Sequence, residues 1–538
     1  MKKIFISAAL LGLCAGAFAQ NLNPTVEVTN IYAREATGIE KPSQLLEMPD
    51  SVLHFNLDMD YSVNNTPYRG SYEFKPYLVQ LRPQARPSGE GTLFVRAGAG
   101  YSLHPEATVV WTPVKKNNFR LNLFADHYSY FGDYRNITLQ ESSYQADGTF
   151  FKGKEMHTAV GADGLYTWTG GTFAADVQYG NILGTTLSDK DVSNHILQLR
   201  AGVKSAPGAS LDYEVHTRLA NISVRQPDFH EFHTDTEASL GTHFGAHRIA
   251  LGLFAETVSQ TGGFAGKAGL VPHYILNTGK FHMNLGVRLS FLFRSDPAFC
   301  PHPSGIVFPD VRISYDAIQD ALVLYATATG GDNIISYDRL LALNPFIGGF
   351  AWHTDNMVTR VNANIGLRGN VAERFHYDLC AGYRWDDNAW TWGIMGGAPS
   401  IPYMGYASPL HTLYVKANAG WKSESIDAEA DVYYGYTPIP DLQGRTLFAP
   451  APFKAHAHAY YIWGGRIKAG VTADFRSKLP GKVYIPGFVD LGVQASLQMT
   501  RKLGFWVKGG NLLNQTIQRV PFYAEKGIYF TIGATLSL

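Results

Sequence analysis

"IYFTIGATLSL" occupies Ile528 to Leu538. Ile528, Phe530, Ile532, Ala534, Leu536 and Leu538 fall on one parity, and Tyr529, Thr531, Gly533, Thr535 and Ser537 fall on the other. A β-strand sends successive side chains to opposite faces, so this segment has one oily face and one mildly polar face. Soluble sheets have such faces too. What the oily face touches must be read from the rest of the chain.

The same alternation recurs. "VDLGVQASLQM" (Val489 to Met499) sets Val489, Leu491, Val493, Ala495, Leu497 and Met499 against Asp490, Gln494, Ser496 and Gln498. "FHMNLGVRLSFLF" (Phe281 to Phe293), "IDAEADVYYGY" (Ile426 to Tyr436) and "LDYEVHTRLA" (Leu211 to Ala220) behave alike. Helical spacing fits these runs poorly. Between them, tight connections ("TRK" at Thr500 to Lys502, Gly464-Gly465, "KSES" at Lys422 to Ser425) alternate with long ones, such as Gln515 to Gly527 and Pro438 to Pro452. Short turns at one end and long loops at the other are the pattern of a membrane barrel, with the turns periplasmic. The reading is an all-β, antiparallel transmembrane barrel of about 22 strands from Thr92 to Leu538. The oily face then touches lipid, and the last strand must pair with the first, near Thr92 to Tyr101.

Composition agrees. Forty-five basic side chains balance 45 acidic ones, with no block of like charge, which argues against a nucleic-acid partner. Three cysteines cannot staple a chain of this length. No apolar run is long enough for a spanning helix. Met1 to Ala19 has a basic start, a short apolar stretch and a small-x-small end, and reads as a secretory signal peptide. Residues 20–91 form a short N-terminal segment with two patterned pieces, Ser51 to Val63 and Tyr72 to Pro83. A barrel of about 22 strands encloses a lumen that needs filling, so this segment is expected to occupy part of it; the competing reading is a small periplasmic extension.

The motifs "GNLLNQ" (Gly510 to Gln515), "VPFY" (Val520 to Tyr523) and "GIYFTIGATLSL" resemble the C-terminal end of TonB-dependent outer-membrane receptors. "LPGKVYIPGFVDLGVQASLQMTRKLGFWVKGGNLLN" (Leu479 to Asn514) is similar to their penultimate hairpin. The resemblance implies the outer membrane of a Gram-negative bacterium and the TonB energy-coupling protein as a partner. Two features depart from it. The chain ends on Leu538 rather than an aromatic residue, and residues 20–91 are too few for the family's plug domain, which is expected to be missing or strongly reduced. "PTVEVTN" (Pro24 to Asn30) resembles a TonB box: Thr25, Val26, Glu27, Val28 and Thr29 suit strand addition to a partner sheet. The competing reading is an ordinary early β segment.

Lumen-facing charges mark a candidate path: Arg288, Arg360, Arg368, Arg384, Asp378, Glu429, Asp431 and Asp474. The nearly uncharged loop Asp386 to His411 carries Trp390, Trp392, Tyr403 and Tyr406, a candidate external contact surface. Its competing reading is folding inward over the barrel mouth. "DFHEFHTD" (Asp228 to Asp235) lacks the HExxH spacing of zinc hydrolases and reads as a solvated polar loop. "KAHAHAY" puts His456 and His458 on one lumen face, and two ligands fall short of the three or four that zinc takes. Neither a cofactor nor catalysis is expected, since no nucleophile elbow, phosphate loop or Ser–His–Asp set is readable. Two functions lead, with an open porin as a third choice. One is a receptor-like barrel that transports or binds an external ligand. The alternative is a non-transporting barrel subunit of a complex with another outer-membrane protein or lipoprotein.

Overall fold

The computed structural model describes residues 92–101, 103–185, 191–206, 208–225, 228–261, 263–294, 304–319, 321–346, 355–372, 374–387, 389–395, 403–406, 409–438 and 445–538. The expectations for residues 1–91, the TonB-box-like Thr25 to Thr29 among them, lie outside the described residues.

Twenty-two strands form one antiparallel sheet that closes on itself. The closing pair joins Leu93–Tyr101 to Tyr529–Ser537, in register from Phe94↔Ser537 to Tyr101↔Phe530. Leu93 N–H donates to the Leu538 carbonyl at 2.9 Å, and Leu538 N–H returns a bond to the Leu93 carbonyl at 2.8 Å. The strand alternation and the pairing of the two ends are as the sequence implies. Closure matters because hydrocarbon offers no partner to a bare backbone group, so a sheet spans a bilayer only without edges.

Side-chain parity then decides what each face meets. Phe173, Val177 and Tyr179 point outward from Gly171–Thr185, and Ile249, Leu251 and Leu253 do the same from His247–Gln260. Ile365 and Ile532 are each 68% exposed. So much exposed aliphatic surface has no place in water. Exposed aromatics flank this band: Tyr315, Trp421, Tyr461 and Trp463 near the tight-turn rim, Phe232, Trp385 and Tyr434 nearer the other. Such girdles sit at the two membrane interfaces. No described helix is long and apolar enough to cross a membrane.

The rim with long connections is uneven. Glu106–Lys116 pairs with Phe119–Gln140 only as far as Tyr128. Above that level, Phe119–Gln140 and Ser143–Trp168 continue as a tall hairpin to Gln140↔Ser143. The hairpin tip joins the loop after Ile467–Arg476: Tyr144 N–H donates to the Tyr484 carbonyl at 3.0 Å, and Tyr484 N–H to that of Ser142 at 2.9 Å. A helix, Tyr337–Leu343, lies between the strands Leu322–Ile335 and Asp355–Val371. A small sheet pairs Ala389–Met395 with Tyr403–Tyr406 and Arg445–Leu447.

Ile365 faces outward between the girdles, and Asn364 beside it faces the lumen. Ile365→Arg should therefore cost about 2–4 kcal/mol of barrel stability, and Asn364→Arg under about 1 kcal/mol. Urea unfolding in lipid vesicles measures both, and equal costs would contradict the assigned faces.

Candidate functional site

The helix Tyr337–Leu343 is short, and tertiary contacts fix it where propensity could not. Ser336 caps it, its hydroxyl accepting from Arg339 N–H at 3.3 Å. The Glu231 carboxylate, from the barrel wall, accepts from the N–H groups of Tyr337 (2.7 Å) and Asp338 (3.0 Å). A carboxylate there satisfies orphan donors and complements the positive end of the helix. The Tyr337 hydroxyl donates to Asn194 at 2.7 Å. Asp338 pairs with Arg218 at 2.7 Å and with His233 at 3.4 Å. His233 in turn meets Glu256 at 3.1 Å, and Glu256 also takes Arg339 (2.6 Å) and Lys267 (3.0 Å). Glu231, His233, Glu256, Lys267 and Asp332 are all buried. Burial alone would raise the Asp338 carboxyl, but Arg218 and His233 beside it hold it well below the usual carboxylate range.

Here the solvated-loop reading of "DFHEFHTD" fails. Glu231 and His233 are 1% exposed because the helix, folded in from a distant loop, covers them. The sequence carried one usable signal, the Ser-Tyr-Asp-Arg start of a capped helix at Ser336.

Beneath and beside the helix lies one apolar core. Tyr337, Leu340 and Leu341 pack with Ile182, Val192, Ile222, Val224 and Phe229 of the wall. The same core takes in Tyr144 of the tall hairpin, Trp392, Phe448, Leu479, Ile485 and Phe522. These last residues come from connections on other sides of the barrel, so the core reaches across the mouth. Its occupants make it a cap.

The motif "GNLLNQ" starts one strap of this cap. Asn511 and Asn514 adopt left-handed backbone (φ 45° and 49°), which asparagine tolerates. The Asn511 amide donates to the carbonyls of Gln515 (2.9 Å) and Lys526 (3.2 Å) and accepts from Gln515 N–H at 2.9 Å. The loop is thereby folded back on itself. Arg519 then reaches the wall, bonding Asp490 at 2.7 Å and Asp474 at 3.3 Å, and holds Glu525 at 2.9 Å. Burial pushes Glu525 up to about 7 and Lys526 down to about 8.

The lumen residues singled out from sequence belong to local networks on the wall. Arg360 bonds Asp387 at 2.5 Å, Arg384 bonds Asp386 at 2.8 Å, and Asp378 accepts from the Tyr325 hydroxyl at 2.5 Å. Arg288 lies 3.7 Å over the Phe254 ring and Arg368 5.3 Å over Tyr325. Glu429, Asp431 and Asp474 come together on one stretch of wall through Asn418 and His456. Of the aromatic loop, Trp392 is buried in the cap. The backbones of Trp390, Tyr403 and Tyr406 lie in the small sheet, and their side chains are outside the described residues.

Arg218→Ala should leave the Asp338 carboxylate poorly compensated and loosen the cap by up to about 3 kcal/mol. Because the Asp338 carboxyl is held low, its contribution is fully present above its unfolded value, near 4, and is withdrawn as pH falls from there toward the folded-state value. Amide exchange at 337–343 should quicken in the variant and on acidification while strand amides stay protected. Unchanged exchange would show that the ion pairs do not hold the helix.

No protein-family model matches this sequence, and no curated protein matches it either. Solved structures do match its fold. The ferric-catecholate import receptor Fiu of Escherichia coli has a TM-score of 0.62 at 10% identity, covering 84% of this chain and 82% of that one. The FrpB iron transporter of Neisseria meningitidis gives 0.61 at 9%, covering 83% and 81%. The copper transporter OprC gives 0.58 at 12%, covering 84% and 81%. The chain therefore has the barrel fold of TonB-dependent outer-membrane receptors, and its apolar, girdled exterior is that of a membrane-spanning barrel.

Proposed function

We propose that the chain is a receptor-type barrel of a Gram-negative outer membrane that binds or takes up an external ligand. The complete 22-strand barrel carries this reading, supported by its likeness in fold to an iron transporter, a ferric-catecholate import receptor and a copper transporter. Residues 1–19 serve as the signal peptide and 92–538 as the barrel. Residues 20–91 fill part of the lumen as a reduced plug, a reading supported by Thr92 lying beside Leu538 at the tight-turn rim. Thr25 to Thr29 add as a strand to the energy-coupling protein. Ligand meets the cap and the loop of Trp390, Tyr403 and Tyr406 first, while Trp392 of the same loop packs into the cap's core. It then passes the charged wall of Arg288, Arg360, Arg368, Arg384, Asp378, Glu429, Asp431 and Asp474.

A second reading has its own support. An apolar core reaching across the mouth is a poor standing entrance, and it suits a non-transporting subunit that offers its outer loops to another outer-membrane protein or lipoprotein. Deletion of residues 24–30 separates the two. Uptake should fall to the level seen without the coupling protein while the amount of heat-modifiable barrel stays the same. Unchanged growth and uptake, together with a stoichiometric partner retained in mild detergent, would favour the subunit.

A further inference from the structure

The tight turns differ between the two halves of the cylinder. From Asp355–Val371 round through the closing seam to Glu106–Lys116, half of the 22-strand circumference, every tight turn has a lysine or arginine in it or directly beside it. These are Arg374, Lys422, Arg466, Arg501 with Lys502, and Lys116. The acidic residues of the same turns are fewer, Glu373 and Glu424. On the other half, Thr169-Gly170, Ala206 to Ser210 and Gly245-Ala246 are uncharged, and Lys280 is balanced by Asp320. Backbone bonds set the basic turns side by side. Lys422 N–H donates to the Arg374 carbonyl at 2.7 Å, Gln498 N–H to that of Arg466 at 2.8 Å, and Ser537 N–H to that of Lys502 at 2.8 Å. The cations thus form one arc along the rim.

The arc adjoins the lipid-facing surface. All six cations are exposed, and among the described residues none of them is held in an ion pair. Cations that face the lumen on the same half are paired, as Lys468 is with Asp427 at 3.0 Å and Arg96 with Glu106 at 3.7 Å. Outward aromatics share the basic turns. Trp421 immediately precedes Lys422, and Trp463 opens the turn that Arg466 closes, its carbonyl accepting from Arg466 N–H at 3.1 Å. These two tryptophans are 44% and 70% exposed, and Trp111 and Met499 stand out likewise toward Lys116 and Arg501. Tryptophan at such a rim sits at headgroup level. A long cationic side chain beside it lays its methylenes along the apolar band and sends its head into the polar layer.

We propose that this arc binds the phosphate headgroups of anionic phospholipids in the leaflet that meets the tight-turn rim, and so gathers charged lipid along one half of the barrel. Charge complementarity selects the headgroup, since cations at a membrane surface attract lipids of net negative charge over zwitterionic ones. The guanidinium groups of Arg374, Arg466 and Arg501 add a fork that matches phosphate oxygens. Glu373 and Glu424 lower the positive charge of the arc without reversing it. An acidic partner in the periplasm would engage the cations alone and leave Trp421 and Trp463, which point sideways into lipid, without a part in the surface. The inference goes beyond the receptor reading and holds whether or not the barrel transports.

The test uses the purified full-length protein in phosphatidylcholine vesicles that hold a trace of spin-labelled lipid. Electron paramagnetic resonance measures how much label the barrel immobilises. Labelled phosphatidylglycerol should associate at least about fivefold more strongly than labelled phosphatidylcholine, the contribution of a single cation near the surface. Concentrated sodium chloride should weaken that preference by screening exposed charge. Changing all six cations to glutamine should bring the two lipids to equal association. Lys152→Gln, exposed on the tall hairpin at the opposite rim, should leave the preference intact. Heat-modifiable gel migration establishes folding, and Arg466→Gln with Arg501→Gln and Lys502→Gln, which should lower the preference severalfold, keeps the test open if the sixfold variant does not fold. Equal association of both lipids with the wild type, or an undiminished preference in the folded variants, would overturn the proposal. Cosedimentation of the wild type with purified peptidoglycan, lost in the variants and unaccompanied by any lipid preference, would assign the arc to the cell wall instead.

Discussion

Every backbone N–H and C=O within the hydrocarbon layer must find a partner in the protein itself. That requirement is met at the pairing of Leu93–Tyr101 with Tyr529–Ser537. Once the sheet is a cylinder, the rest follows from parity. One set of side chains faces acyl chains and must be apolar, and the other faces an enclosed aqueous space and is free to carry charge. Ile365 and Asn364 are neighbours in sequence and belong to different solvents.

A cylinder of this width leaves an interior to fill, and the loops fill its outer end. The cap combines an apolar core with a buried ion network around Glu256, His233 and Asp338. Buried charges add little net stability relative to apolar packing. Their geometry is instead specific: Glu231 accepts from a helix start placed over it, and Arg218, steadied by the Gln198 side chain, meets the carboxylate at position 338. Phe522, buried in the core with φ of 74°, carries backbone strain that the surrounding packing must hold.

The barrel was legible in the sequence because its rule is local. Parity can be read over ten residues, and turn and loop lengths between neighbouring strands. The cap was not, because its contacts join residues far apart in the chain. Nothing near "DFHEFHTD" announces that Tyr337 and Asp338 will cover Glu231 and His233. Trp392 is an intermediate case, since an uncharged aromatic loop can turn outward to a ligand or inward to a core, and composition alone does not distinguish the two. The pair His456 and His458 was visible as two residues on one face. Their cross-strand neighbours Glu429 and Asp431 required the register, which depends on where the intervening loop places the next strand.

The closing seam also sets a timetable for biosynthesis. Its two strands come from opposite ends of the barrel sequence, so the ring cannot be completed until the last residues have left the ribosome. Until then the nascent sheet has two open edges, each able to template association with another chain. Contacts between such distant segments form late and slowly. Both edges must therefore stay shielded from other chains until the two ends meet. A truncation of a few C-terminal residues would remove the clasp and leave most of the wall intact as an open sheet.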